Sequence, residues 1–326
     1  MHVWRVGPAT SRARMGDDSR GTSRIALTGA TGFIGFQLQR RLAADGFTVR
    51  ALVRPGSRYR DRVAEGVEVS DVALDDGSGL AAALNGVDAV IYAAGAVRGR
   101  DFHDFTAANV DGLRTVCESI SNRSSAPRLL LISSLAATRP ELSHYARSKR
   151  EGERVLEDFG GIAWAILRPP AVYGPGDKEM LPLFRSIRAG LALIVGPAQQ
   201  RLSLLHVDDL VSAVVSWLRC PEPCAGQIFE IDDGRKGGYG WQDIIAASRD
   251  GRPILKVFIP RQILAILGQL NLLSARCLRR APMLTPGKVR ELSQESWLCD
   301  NETFTSVTGW TPKVQLQEGV HRLFAV

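Results

Sequence analysis

"ALTGATGFIGFQL", residues 26–38, sets three glycines, Gly29, Gly32 and Gly35, at intervals of three. An apolar run (Ile25, Ala26, Leu27) precedes them and a helical pattern follows. Backbone freedom concentrated where a strand hands over to a helix suits a turn against a phosphate. Gly29 lets the chain turn out of the strand, Gly32 lets backbone approach a pyrophosphate, and Gly35 lets the helix pack closely on the sheet. The helix N-terminus adds unpaired N–H groups and a partial positive charge. The spacing G-x-x-G-x-x-G departs from the commoner G-x-G-x-x-G, and glycines also serve ordinary turns. The weight of the motif therefore comes from its setting.

That setting is alternating. From Ser23 to Tyr173 short apolar runs ("IALTGA", "TVRALVR", "DAVIYAAG", "RLLLISS", "IAWAILRPPAVYG") are separated by helical patterns. The alternation predicts an α/β doubly wound parallel sheet over residues 23–173, with ligands beyond the carboxyl ends of its strands. After Gly174 the alternation loosens into a smaller C-terminal lobe over 174–326. Residues 205–218 within it are expected to pack back on the sheet, and "QIFEIDD" to form a strand of the lobe. Residues 1–22 read as a disordered basic tail.

Composition narrows the class. The chain of 326 residues is 45% apolar and 23% charged, ordinary for a globular protein. Its net charge of +7 includes five arginines against two aspartates in the first 24 residues, so no nucleic-acid partner is expected. Five cysteines, an odd number spread along the chain, suit a reducing compartment, and a cytoplasmic location is expected. Cys220 and Cys224 in "CPEPC" lack a second pair, so no metal site is predicted. The first segment has no apolar run of a secretory signal. The most apolar stretch, Ile254 to Leu273, is interrupted by Lys256, Pro260 and Arg261 and cannot span a bilayer.

The second strand ends at Arg54, with Arg58 and Arg60 close behind, where an acidic residue would select NAD. A cation there suits a 2′-phosphate, so NADP is preferred over NAD; the alternative is an arginine facing solvent. Asp71, followed by Val72 at the third strand end, is a candidate acceptor for the adenine amino group, or an ordinary surface carboxylate.

Tyr145 and Lys149 in "HYARSK" stand four apart on a helical segment and share a face. A tyrosine with its usual pKa of about 10 is a poor base. A nearby ammonium is expected to lower that value, and Lys149 can also bond a nicotinamide ribose. Alone, such a pair is a frequent accident of helices. "LLLISSLAA", Leu129 to Ala137, changes the weighing. It is a buried-type strand that ends in Ser133 and Ser134 and can offer a hydroxyl to a substrate oxygen.

With those motifs, and with "RPPAVYGPGD" and "LHVDDL" further on, the chain resembles the extended branch of the short-chain dehydrogenase/reductase superfamily. The resemblance, from Ser23 to the C-terminus, implies Tyr145 as general acid/base, Lys149 as its partner and Ser134 as the serine that polarises the substrate oxygen. It also implies cofactor contacts from Thr31, Phe33 and Ile34, from Ala93, Ala94 and Gly95, and from Pro169 and Val172. Asn109 in "ANVDG" matches a family position near the site. Leu135 and Ala136 follow Ser134 where sugar dehydratases carry Asp-Glu, so dehydration is not expected.

The substrate divides the readings. Val257 to Leu284 is dense in Ile and Leu, ends in Arg276, Arg279 and Arg280, and precedes "PMLT", an arrangement similar to hydroxysteroid-dehydrogenase-like members. A bulky apolar secondary alcohol or ketone is therefore the expected substrate. The 257–284 segment is expected to roof the pocket, to contact a membrane peripherally, or to pack on its own lobe or in a homodimer. "GRKGGYG", residues 234–240, reads as a mobile loop near the pocket mouth, or as a connector only. A nucleotide-sugar epimerase using Arg185, Arg188 or Arg201 for a second diphosphate remains an alternative, as does a non-catalytic nucleotide-binding subunit.

Overall fold

Seven parallel strands make one sheet in the order Gln227–Glu230, Trp164–Arg168, Arg128–Ile132, Ala89–Tyr92, Arg24–Thr28, Thr48–Val53, Glu68–Asp71. The computed structural model describes residues 23–121, 123, 125–220, 225–278, 281–282 and 284–325. The expected basic tail, Cys224 of "CPEPC", and Arg279 and Arg280 lie outside the described residues.

The inner strands are apolar along most of their length, with arginines mainly at their ends, because both faces of the sheet are covered. On one face, helices Phe33–Ala44 and Val207–Arg219 bury Leu38, Leu42, Leu210, Val214 and Trp217. On the other, helices Gly77–Ala83, Gly112–Ser121 and His144–Asp158 bury Leu80, Leu113, Val116, Val155 and Leu156. Residues 205–218 thus lie against the sheet.

The seventh strand differs from the expectation, which put it in the lobe. Gln227–Glu230 pairs in parallel with Trp164–Arg168 and covers what would otherwise be a bare sheet edge. Its Phe229 is fully buried, and ring contacts continue through Phe304 to Trp310 at 5.2 and 5.5 Å. The chain leaves the sheet after Arg168 and returns to it twice, through helix Val207–Arg219 and strand Gln227–Glu230, so sheet and lobe are interleaved in sequence.

The lobe has a core of its own, with Tyr173, Phe184, Ile187, Trp241, Ile244, Leu316 and Val320. Three two-stranded ribbons serve it, among them Leu191–Val195 paired with Leu255–Ile259. The apolar stretch after residue 254 is therefore first a strand, and Pro260 separates it from the helix Arg261–Cys277. The 234–240 loop is pinned, because the Tyr239 N–H donates to the Leu202 carbonyl at 2.7 Å.

Candidate active site

All seven strands run the same way, so their carboxyl ends share one edge. The strand order reverses between Arg24–Thr28 and Ala89–Tyr92, the crevice where such sheets take ligands. The buried Thr28 hydroxyl closes it at the base by accepting the Ala93 and Ala94 N–H groups, each at 3.1 Å. Gly29 turns there with φ +66°, and a Cβ on it would stand 2.6 Å from the Ala93 carbonyl oxygen. A Cβ on Gly35 would stand 2.1 Å from the Gly29 oxygen, so the helix sits on the turn as closely as backbone allows. Gly32 is exposed, and helix Phe33–Ala44 begins on it with no side-chain cap and no acidic residue in its first turn. Thr31, Phe33 and Ile34 flank that start, half-buried. The turn fits a dinucleotide pyrophosphate: backbone meets backbone where side chains are excluded, and the helix end stays uncapped.

The other expected cofactor residues reach the same edge. Ala93, Ala94 and Gly95 follow strand Ala89–Tyr92. Pro169 follows Arg168, and its carbonyl accepts the Leu135 N–H at 2.8 Å. Val172 packs against the core under the sheet. Arg54 lies just past strand Thr48–Val53, exposed and without an ion pair among the described residues. Its neighbours are engaged. Arg58 lies over the Tyr59 ring at 4.8 Å, and Arg60 pairs with Asp71. The candidate adenine acceptor, Asp71, thus has a partner within the protein, and the Val72 side chain is buried.

Helix His144–Asp158 starts on Ser143, whose Oγ accepts the Ala146 N–H at 2.9 Å. This sets Tyr145 in the first turn and Lys149 one turn on. The two serines of "ISS" separate sharply. Ser133 Oγ donates to the fully buried Glu153 at 2.6 Å, whereas Ser134 Oγ accepts the Ala136 N–H at 3.2 Å and acts on the Tyr145 phenol. Burial pushes the phenol up to about 12; the Ser134 hydroxyl opposes this, and Glu291 and Glu179 add to it. The expected lowering by an ammonium is not found: Lys149 is not among the groups that act on the phenol, and desolvation dominates. Lys149 is buried, donates from Nζ to the Ile132 carbonyl at 3.1 Å, and is pulled down to about 8 by burial against the influence of Glu153.

Three supporting residues hold this constellation. Asn109 sits in a π-helical turn, Ala107–Asp111. Its amide exchanges hydrogen bonds with the backbone of Ala96 at 3.0 and 3.1 Å and donates to Ser148 Oγ at 2.8 Å. Glu153 takes a bidentate bond from Arg168, at 2.8 and 2.6 Å, and ties the ends of two strands to helix His144–Asp158. Glu291 accepts from the capping hydroxyl of Ser143. Sequence reading missed the two glutamates. Glu153, four residues after Lys149, was findable as an i,i+4 pair on one helix face. Glu291 lies 148 residues from Ser143, and nothing local announces it.

Burying an ammonium is costly, which gives a stability prediction. The Lys149 pKa in the fold lies below its unfolded value of about 10.4, so the unfolded chain binds more protons between the two and stability rises with pH there. Lys149→Met is expected to raise stability at pH 7 by on the order of 2–3 kcal/mol, a gain that fades as pH climbs from about 8 to above 10. Thermal melts across that range check it; a variant less stable than wild type at pH 7 contradicts it.

A parallel sheet with a glycine turn at its switch point and a Ser–Tyr–Lys set at the neighbouring strand end defines a nucleotide-dependent oxidoreductase fold of the extended short-chain type. The chain belongs to the NAD dependent epimerase/dehydratase family, which matches residues 25–231. It is 36% identical over 290 residues, 87% of each chain, to the ceramide reductase of Caulobacter vibrioides (strain NA1000 / CB15N). It is 31% identical over 202 residues, 55% of this chain and 44% of the other, to 3beta-hydroxysteroid-dehydrogenase/decarboxylase isoform 1 of Arabidopsis thaliana. Among solved structures it is similar to UDP-glucuronic acid 4-epimerase from Bacillus cereus in complex with UDP-glucuronic acid and NAD. The TM-score is 0.72 at 19% identity, covering 93% of this chain and 98% of that one, a likeness of fold.

Proposed function

We propose that this protein is an NADPH-preferring reductase of a ketone in a bulky apolar lipid, a ceramide-like lipid before a sterol. The observation that carries the chemistry is the grouping of Ser134, whose hydroxyl acts on the Tyr145 phenol, with a buried Lys149 one helical turn on, a set that a pure nucleotide binder does not need. The likeness to a ceramide reductase along most of both chains supports the lipid class.

The dinucleotide, when bound, supplies the hydride. Gly29, Gly32 and Gly35 hold its pyrophosphate and Arg54 its 2′-phosphate. Lys149 holds the nicotinamide ribose. Ser134 Oγ and Tyr145 Oη hold the substrate oxygen between them. As negative charge develops on that oxygen, the phenol donates its proton. A phenol held up near 12 is protonated throughout the working range and is ready as an acid for reduction. Lys149 stabilises the phenolate left behind, and burial makes that interaction stronger than it is in water.

Two cations suggested for a sugar diphosphate are engaged elsewhere: Arg188 pairs with Asp250 at 3.1 Å, and Arg201 donates to the Gly237 carbonyl at 2.8 Å. This favours the reductase over the epimerase reading. The deciding experiment is turnover on a long-chain lipid ketone against a UDP-sugar, with nucleotide analysis of the purified protein. Consumption of NADPH with the ketone is expected. Tightly retained NAD with sugar turnover would replace the reading with the epimerase.

Arg54→Asp is expected to reverse the NADPH/NADH ratio of kcat/KM by about a hundredfold, the loss of one charge-assisted contact and the gain of a ribose acceptor. An unchanged ratio would remove Arg54 from the cofactor site.

A further inference from the structure

Residues 251–290 contain no aspartate or glutamate and eight cations, more than the +7 of the whole chain. Within this segment the strand Leu255–Ile259 and the helix Arg261–Cys277 leave a large apolar surface in solvent. Leu255 and Phe258 are 66% and 61% exposed, and Ile263, Ile266, Leu267, Leu270 and Leu273 are also exposed. At 3.6 residues per turn those five helix residues share one face. Leu264, Gly268 and Ala275, which are buried, share the other and pack toward helix Pro286–Leu292. Arg252, Lys256 and Arg261 are exposed and form no ion pair among the described residues. No described helix is long and apolar enough to cross a membrane.

We propose that this strand and helix dock on an anionic phospholipid bilayer, lying in its interface. An apolar helix face about 15 Å long flanked by cations, with no acid to repel lipid phosphates, has the composition such a surface takes up. A second copy of the chain is a poorer occupant, since an isologous contact would set acid-free cationic surfaces against each other. The surface is mechanically joined to the candidate site. Gly268 sits where a Cβ would be 3.2 Å from Val289, and Glu291 of the same short helix accepts from the Ser143 cap of the Tyr145 helix. Docking therefore brings the carboxyl edge of the sheet to the lipid. That it delivers substrate rests on the lipid-ketone reading above; the contact with the bilayer does not.

The test is sedimentation of the full chain with vesicles of phosphatidylcholine carrying about a quarter phosphatidylglycerol, against phosphatidylcholine alone. Binding to the anionic vesicles is expected, reduced about tenfold or more in Ile266→Ser/Leu270→Ser and in Lys256→Glu/Arg261→Glu, and weakened at about 1 M salt. Both variants are expected to keep wild-type turnover on a water-soluble ketone and to lose it on a bilayer-embedded one. No sedimentation of wild type with anionic vesicles, or equal sedimentation of the variants, overturns the proposal. So does a wild-type dimer without lipid that Ile266→Ser/Leu270→Ser makes monomeric. Failure of wild type on every ketone with vesicle binding intact would overturn the assigned reaction alone.

Discussion

Tyr145→Phe is expected to lower turnover by about a thousandfold while leaving dinucleotide affinity within about twofold. The change removes one oxygen and keeps the ring, which packs 6.2 Å from Phe105. The helix start, set by Ser143, and the glycine turn are untouched. What is lost is the phenol proton that the proposed reduction delivers to the substrate oxygen. Steady-state kinetics beside nucleotide titration separates the two quantities. A rate loss under about tenfold would assign the proton transfer to another group. Weakened nucleotide binding would mean that the phenol positions the cofactor as well.

Arg168→Met is expected to be the most destabilising single change near the site, costing about 3 kcal/mol and about 4–5 °C in Tm. Glu153 is fully buried, and its carboxylate is held by both Arg168 nitrogens, by Ser133 and by Arg150. Without Arg168 the remaining ion-pair partner among the described residues is Arg150, which is shared with Glu157, while Lys149 acts on Glu153 only through space. The buried carboxylate would then lack most of its compensation. Adding Glu153→Gln should recover part of the loss, because a neutral amide needs no counter-charge. If the single variant melts within about 2 °C of wild type, the network does not stabilise the sheet edge as argued.

The division between these two cases runs through the whole protein. Local pattern determined what depends on chain neighbours. The glycine turn, the strand–helix alternation, the Tyr145–Lys149 pair and the serine-ended strand each need only a few consecutive residues, and each places itself on an element. Parallel strands then force their ends to one edge, so most candidate site residues were legible together. Tertiary structure decided whatever depends on a distant partner. Ser133 and Ser134 are equivalent in sequence until Glu153 takes one of them. Asp71 is a free carboxylate until Arg60 closes on it. Strand Gln227–Glu230 reads as part of a separate lobe until the bare edge of Trp164–Arg168 gives it somewhere to pair. Tyr145 is a helical tyrosine of ordinary acidity until burial raises it to about 12. In each case a lone side chain has several satisfactory partners in solvent, and only packing, by removing water, leaves it one.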